Sequence, residues 1–141
     1  MSELSFFLAP NVEKAENVKL AVSRRFKDLE GKPVLWEFRP FSAEEDDILR
    51  KKHTKRIQVP GKKNQFTVDF DANGYLAEKI AIQCVYPDLR NAELQNSWGV
   101  IGEVNLLKVM LTSDEFQELA GSLSEAFQTE TLADKVDEAK N

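Results

Sequence analysis

The sequence predicts an α+β fold, in which an N-terminal β-hairpin forms a small antiparallel sheet and packs with a bundle of about four to five short helices. Two β-rich runs flank a turn-forming stretch in the first third of the chain. A capped helix follows directly, and apolar residues recur at helical spacing through the second half. Because about 140 residues fit one domain, we expect a single core within residues 18–128.

The predicted hairpin consists of residues 18–26 and 34–41, which are rich in β-branched and aromatic side chains. Residues 28–33 between them have the composition and length of a turn. Apolar and polar side chains alternate along the second run, as they do in a strand with one buried face. Trp36 lies on the apolar face, so we expect it to anchor the core.

A helix is expected to begin near Ala43, because Ser42 supplies an N-cap oxygen and Glu45 follows three positions later. The first turn of this helix is acidic and the last turn is basic, which complements the helix macrodipole. A cation site is an alternative use of the carboxylates, but such a site needs about six or more converging oxygens, whereas consecutive helical residues diverge. We therefore interpret them as a solvated helix face.

Helix caps and apolar periodicity define the elements of the second half. They predict a short strand at residues 65–70. They then predict four helices, at residues 74–86, 91–96, 103–110 and from about 113 onward. The single cysteine, Cys84, lies in an apolar stretch, so we expect a buried, unreactive thiol. With one cysteine and one histidine, His53, the chain by itself holds no Cys/His zinc site.

The last predicted helix carries an apolar stripe at intervals of three and four residues, formed by Phe116, Leu119, Leu123 and Phe127. Two interpretations are open. The stripe packs on the core of its own domain, or it is offered to a groove of another protein or to a second copy of the chain.

The two ends of the chain differ in composition. Residues 1–17 combine an apolar arm, which contains Phe6, Phe7 and Leu8, with a polar linker. We expect the apolar side chains of such an end to pack either on their own domain or on a neighbouring protein. Residues 129–141 are acidic and contain little apolar area, so we expect a weakly ordered tail.

The middle of the chain is strongly basic, although the whole chain has a formal charge of −5. Seven cations and no carboxylate lie in residues 50–63, namely Arg50, Lys51, Lys52, Lys55, Arg56, Lys62 and Lys63. Pro60 and Gly61 favour an exposed loop over residues 50–65, and we interpret the segment as such a loop or as a patch that docks proteins. Nucleic-acid binding by residues 50–63 is the alternative. This alternative is less favoured, because the segment contains no aromatic residue on which a base could stack. Attraction to an acidic surface, such as the tail of a neighbouring copy, is a third interpretation.

The composition is that of an ordinary soluble protein, with 42% hydrophobic and 30% charged residues. No apolar run approaches the length of a membrane-spanning helix, and no secretory cleavage pattern follows the apolar N-terminus. We therefore expect a cytoplasmic protein with no membrane partner. The sequence contains no Walker loop, nucleophile elbow or metal-binding pair, so it predicts no enzyme.

Several segments, taken together in their order and spacing, resemble the XkdN-like family of tail assembly chaperones of contractile-tailed phages and prophages. They are SELSFFL at 2–8, the stretch from SRRF to ILRK at 23–51, TKR at 54–56, VPGKKNQF at 59–66, YPDLRNAELQNSWGVIG at 86–102 and LADKVDEAKN at 132–141. The resemblance implies a small protein of the infected or induced bacterial cell that binds the tape measure protein, keeps it soluble and helps recruit tail-tube subunits. It implies no enzyme activity and no cofactor.

The apolar arm and the last helix are the candidate partner-binding segments. We predict that their apolar residues contact the client or a sister subunit, namely Phe6, Phe7, Leu8, Phe116, Leu119, Leu123 and Phe127. Formation of a homo-oligomer is compatible with the sequence, and nucleic acid is the less favoured partner.

Overall fold

The structure, a computed structural model, describes residues 3–128. Two 3-10 turns at Glu3–Phe7 and Ala9–Asn11 precede the domain. Its strands are β1 (Val18–Ala21), β2 (Leu35–Phe38), β3 (Thr54–Gln58), β4 (Phe66–Phe70) and β5 (Cys84–Tyr86). Its helices are α1 (Ala43–Lys52), α2 (Ala72–Gln83), α3 (Ala92–Trp98), α4 (Glu103–Met110) and α5 (Ser113–Phe127). The predicted α+β class, with an N-terminal hairpin and short helices, is confirmed.

The N-terminal hairpin pairs β1 with β2 in antiparallel register, so that Leu20 faces Trp36. Its strands have four residues each and are shorter than predicted. The long connection between them has its own internal hydrogen bonds, because the Asp28 carboxylate accepts from the backbone N–H groups of Glu30 and Lys32. Gly31 closes this turn with φ of 81°, a conformation that favours glycine.

The sheet gains a third strand where the sequence predicts a helix. The expected helix at residues 74–86 ends at Gln83, and Cys84–Tyr86 forms β5 on the other edge of β2. Pro87 explains the difference, because a residue that precedes proline is disfavoured in the helical region. The backbone N–H of Arg39 donates to the Gln83 carbonyl, and the Gln83 side chain donates back to the Arg39 carbonyl. These bonds fasten the end of α2 to the end of β2.

The basic segment does not form the predicted loop over residues 50–65. Arg50, Lys51 and Lys52 end α1, and Thr54–Gln58 then pairs in full register with Phe66–Phe70 to form a second hairpin. Thr54 and Ile57 favour a strand, but the cations between them conceal that preference in the sequence. Pro60 and Gly61 therefore mark the turn of a hairpin and not an open loop.

One hydrophobic core lies between the three-stranded sheet and the helices. Its buried members include Trp36, Phe38, Ile80, Ala81, Cys84, Leu89, Leu106, Leu107, Met110, Leu119 and Leu123. Trp36 anchors this core as predicted, and Phe26 packs edge-on against it with ring centroids 5.5 Å apart. Trp98 lies at the edge of the core, where it contacts Phe26 and stays partly exposed.

Two capping boxes define where the first and last helices begin. Ser42 and Glu45 bond reciprocally at the start of α1, as predicted. Thr112 and Glu115 form the same arrangement at the start of α5. In each box, two side chains accept hydrogen bonds from two backbone N–H groups that the start of a helix would otherwise leave without partners.

Each capping glutamate also binds an arginine from another part of the chain. A hydrogen bond from Arg39, and then one from the backbone of Ser42, lower the pKa of Glu45 to about 2. Hydrogen bonds from Arg25, and then from the Ser23 side chain and the Thr112 backbone, lower the pKa of Glu115 to about 2. The Arg25 guanidinium also donates to the Met110 carbonyl, so it ties the loop after β1 to the end of α4 as well as to the start of α5.

We expect the free energy of unfolding to fall as pH decreases from 4.5 to about 2. The folded pKa of both glutamates lies below the ordinary value, so their contribution is present above pH 4.5 and is lost as pH falls through about 2. Urea denaturation across this range should show a smaller loss for Glu45→Gln/Glu115→Gln than for the wild type. Glu118→Gln, at an exposed site of α5, is the matched control. A difference between wild type and double variant that stays constant with pH would contradict the prediction.

Candidate functional site

An apolar groove runs between α2 and α5, and we call it the α2–α5 groove. Two adjoining cavities, of about 470 and 580 Å³, form it. Leu76 of α2 and Ala120 of α5 line both cavities. Phe127 lines the first and Phe116 lines the second, so the two phenylalanines mark opposite ends of the groove.

The charge of the α2–α5 groove differs from that of the chain as a whole. The chain has 24 carboxylates and 19 lysines and arginines. Among the described residues that line the groove, the charged ones are Lys79 and Lys108, with no carboxylate. The Lys79 ammonium lies 5.7 Å from the centre of the Phe41 ring, which holds it beside the apolar wall. The groove therefore offers an apolar floor with positive charge beside it.

The predicted stripe on the last helix divides between the core and the groove. Leu119 and Leu123 are buried in the core, with Leu123 only 4% exposed, although Leu123 also lines the first cavity. Phe116 and Phe127 are half-buried, pack against the core and also line the groove. The proposed partner contact of these four residues stays a prediction, but Phe116 and Phe127 are the two with accessible ring surface.

The N-terminal arm presents its apolar side chains to solvent. Phe6, Phe7 and Leu8 are all exposed, and Phe7 reaches 78%. The Asn11 side chain donates to the Ser5 carbonyl, so the two 3-10 turns of the arm are joined by a local bond. A partner contact of this arm also stays a prediction.

The seven cations of the basic patch fall into two groups. On α1, Arg50 and Lys51 pair with carboxylates one turn earlier, and Lys52 pairs with Glu78 of α2. The other four lie on the second hairpin, and none of them makes an ion pair within residues 3–128: Lys55, Arg56, Lys62 and Lys63. The unpaired charge is therefore concentrated on the hairpin.

The second hairpin also carries an apolar face that the sequence analysis missed. Phe66, Val68 and Phe70 alternate along β4 and are all exposed, Val68 by 69%. The Arg56 guanidinium lies 4.3 Å from the centre of the Phe66 ring. Period-two alternation over residues 66–70 was the available signal, but its meaning depends on the pairing with β3.

The titratable groups between α1 and α2 have structural partners. His53 Nε2 lies 2.9 Å from Glu78 Oε1, and the Tyr75 hydroxyl donates to Asp46. That hydrogen bond is the main reason why the pKa of Asp46 is lowered. Cys84 is buried as predicted, and burial raises the pKa of its thiol to about 12, so it is a poor nucleophile.

No group of three or more metal-binding side chains within residues 3–128 is placed to hold a metal ion. Within the same range, no helix combines the length and the apolar character needed to cross a membrane.

Comparisons with known proteins identify a family model and two relatives. The model of the phage XkdN-like tail assembly chaperone family matches residues 4–140. Phage-like element PBSX protein XkdN of Bacillus subtilis (strain 168) is 31% identical over 144 residues, which cover 99% of this chain and 94% of that protein. Protein YqbN of the same strain is 29% identical, over 99% of this chain and 93% of that one.

A solved structure supports the fold. The crystal structure of a protein titled yqbn matches with a TM-score of 0.70 and 21% identity, over 93% of this chain and 99% of that one. At this identity the likeness concerns the fold alone. The family match over nearly the whole chain and the relative at 31% identity carry the assignment. This chain therefore belongs to the XkdN-like family of phage tail assembly chaperones.

Proposed function

We propose that this chaperone binds the tape measure protein, holds its helical segments in the α2–α5 groove, keeps it soluble and helps recruit tail-tube subunits. The single observation that carries the proposal is the groove itself, which combines an apolar floor with lysines and lacks carboxylates. Helix-in-groove binding uses a surface of this kind, into which a client places apolar residues one turn apart.

The dimensions suit an amphipathic helix. α5 has 15 residues, so the wall that it forms is about 22 Å long and spans about four turns of a bound helix. Leu76 and Ala120 leave space at the centre, while Phe116 and Phe127 offer ring surface at the ends. Lys79 and Lys108 favour a client helix with acidic residues beside its apolar stripe.

A tape measure protein is a long helical chain, and its exposed apolar stripes would aggregate. Covering the stripes one segment at a time, with many moderate contacts, keeps the chain soluble and leaves each contact reversible. Several chaperone copies on one client would add avidity without any strong single site. We place this activity in the cytoplasm of the bacterial host, where the tail is assembled before release.

We expect Ala120→Phe to weaken retention of a co-expressed tape measure fragment by about tenfold or more, equivalent to about 1.4 kcal/mol of binding free energy. Ala120 lines both halves of the groove, so a phenyl ring there occupies the space of the client helix. Affinity-tag pull-down and calorimetry with the soluble fragment give the measurement. Tail-tube subunit is then added to the immobilised complex to test recruitment.

Glu118→Phe is the matched control, because it adds the same ring to the same helix at an exposed site outside the groove. It should retain the fragment at the wild-type level. Equal retention by Ala120→Phe and Glu118→Phe, with both variants folded by circular dichroism, would rule out the groove as the client site.

Nucleic-acid binding is the second candidate, and one observation favours it: the exposed ring of Phe66 lies beside Arg56 of the second hairpin, and that of Phe70 lies beside Arg50 of α1. The geometry argues against it, because residues four apart on a strand are about 13 Å apart, which is beyond the spacing of adjacent stacked bases. In addition, Arg56 already lies over one of these rings. Titration of DNA and RNA oligonucleotides at low salt tests it, and no binding is expected.

A further inference from the structure

The α2–α5 groove combines accessible apolar surface with two lysines that have no acidic partner in the described part of the chain. Phe116 and Phe127, at its two ends, are half-buried. Lys79 and Lys108 make no ion pair within residues 3–128. A surface of this kind favours a segment that carries carboxylates beside apolar side chains.

The chain leaves α5 at one end of this groove. Phe127 is the last residue of α5, and both it and Gln128 line the first cavity. Thirteen more residues follow at 129–141, which lie outside the described residues. A stretch of this length spans about 20 Å as a helix and about 43 Å when extended, whereas the α5 wall is about 22 Å long. Residues 129–141 are therefore long enough to turn back after Gln128 and reach both cavities.

Residues 129–141, which we call the C-terminal segment, have the composition that the groove favours. Leu132 and Val136 are four positions apart, the spacing that places two side chains on one face of a helix. Four carboxylates and two lysines give the segment a net charge of −2, namely Glu130, Asp134, Asp137 and Glu138 against Lys135 and Lys140. Its pattern of apolar residues one turn apart with carboxylates beside them is the pattern that the groove favours in a client helix.

We propose that the C-terminal segment folds back onto the α2–α5 groove of its own chain and occupies it until a client helix displaces it. Leu132 and Val136 pack on the apolar floor of the groove, and the carboxylates of the segment lie near Lys79 and Lys108. The free chaperone thereby covers an apolar surface that would otherwise favour aggregation.

The docked state is favoured by the covalent link and limited by the small apolar area of the segment. Because the segment is tethered at the edge of the groove, its effective concentration there is high. It offers only Leu132 and Val136 as large apolar side chains, so a client with more apolar residues displaces it. A segment that occupies the groove for about two thirds of the time raises the apparent Kd of the client about threefold. This competition rests on the proposed function, whereas the docking itself does not.

The test is NMR of the full chain with a nitroxide spin label attached at Ala133→Cys. Cys84 is buried and the pKa of its thiol is raised to about 12, so the label reacts at the introduced cysteine. Without client, the nitroxide should broaden the methyl signals of Leu76 and Ala120, which line both cavities. Chemical reduction of the nitroxide gives the reference spectrum. Saturation with the soluble tape measure fragment should restore both signals.

Leu132→Ser/Val136→Ser, introduced into the labelled chain, should abolish the broadening and lower the Kd of the client fragment about threefold in calorimetry. Thr129→Ser/Thr131→Ser is the matched control, because it places two serines at polar positions of the same segment. It should behave like the labelled chain without these changes. Absence of broadening in the labelled chain, or equal broadening in the two double variants, would overturn the proposal.

A mixed sample identifies which groove the segment occupies. Spin-labelled chains without isotope enrichment are combined with enriched chains that carry no label, and no broadening is expected. Broadening in this mixture would place the segment on another copy and would overturn the proposal.

Failure of the docking and failure of the proposed function give different results. If the docking fails, the labelled chain shows no broadening while Ala120→Phe still weakens retention of the fragment. If the groove is not the client site, broadening by the label persists with the fragment bound, and the competition between segment and client is overturned.

Discussion

Phe38→Ala is expected to lower the free energy of unfolding by about 3–5 kcal/mol, the usual cost of truncating a buried phenylalanine. Phe38 is 0% exposed and lies on the central strand of the three-stranded sheet. It faces Val18 of β1 and Cys84 of β5 across the sheet, and its ring stacks near Trp36 with centroids 6.4 Å apart. Truncation therefore leaves a cavity where the sheet meets the helices.

Urea denaturation followed by tryptophan fluorescence gives this value, and a fall of about 10–20 °C in Tm should accompany it. Leu35→Ala on the same strand is the control, because Leu35 is exposed and its loss should cost less than about 1 kcal/mol. Similar losses for the two variants would mean that the sheet does not bury Phe38 in the manner described.

Leu123→Ala is expected to cost about 2–5 kcal/mol of unfolding free energy. The reason is that Leu123, like Leu119, points from α5 into the core of its own domain. Phe127→Ala should cost less, because Phe127 is half-buried and already has one side open to the α2–α5 groove. The same four-residue stripe thus contains residues with different physical roles.

Thermal unfolding of the two variants checks this difference, and fragment retention at a temperature where both are folded separates stability from binding. Leu123→Ala should lower the unfolding temperature strongly and fragment retention little. Phe127→Ala should lower fragment retention strongly and the unfolding temperature little. The opposite result for either variant would contradict this division of the α5 stripe. A charged substitution at Leu123 is a poor probe of the interface, because an unpaired buried charge destabilises the fold itself.

The two hairpins show which strands the apolar pattern predicts and which it does not. Residues 34–38 alternate apolar and polar side chains over a buried face, and both the first hairpin and the burial of Trp36 were predictable from that pattern. The second hairpin has no buried face, because all ten residues of its two strands are exposed. The sequence pattern therefore predicts only one of its strands, at residues 65–70, and it predicts an exposed loop over residues 50–65.

Only part of the candidate site could be predicted from the sequence, for a similar reason. The periodicity of α5 identified Phe116 and Phe127 as members of an apolar stripe. It could not identify Leu76 and Ala120 as facing walls of one groove, because α2 and α5 are distant in sequence and their separation depends on how both helices pack on the core. The third strand, β5, escaped prediction because an apolar run preceding a proline is compatible with either a helix end or a short strand.

The sequence by itself determined the fold class, the capped helices and the family, because these depend on local spacing: Ser42 with Glu45, Thr112 with Glu115, and the apolar periods of 2 and 3.6 residues. Tertiary structure alone decided which apolar residues became core and which became surface. Leu123 and Phe127 belong to the same stripe and both line the groove, yet Leu123 is buried in the core and Phe127 is half-buried. The physical reason is that burial depends on what packs opposite a side chain, and that neighbour comes from a remote part of the chain.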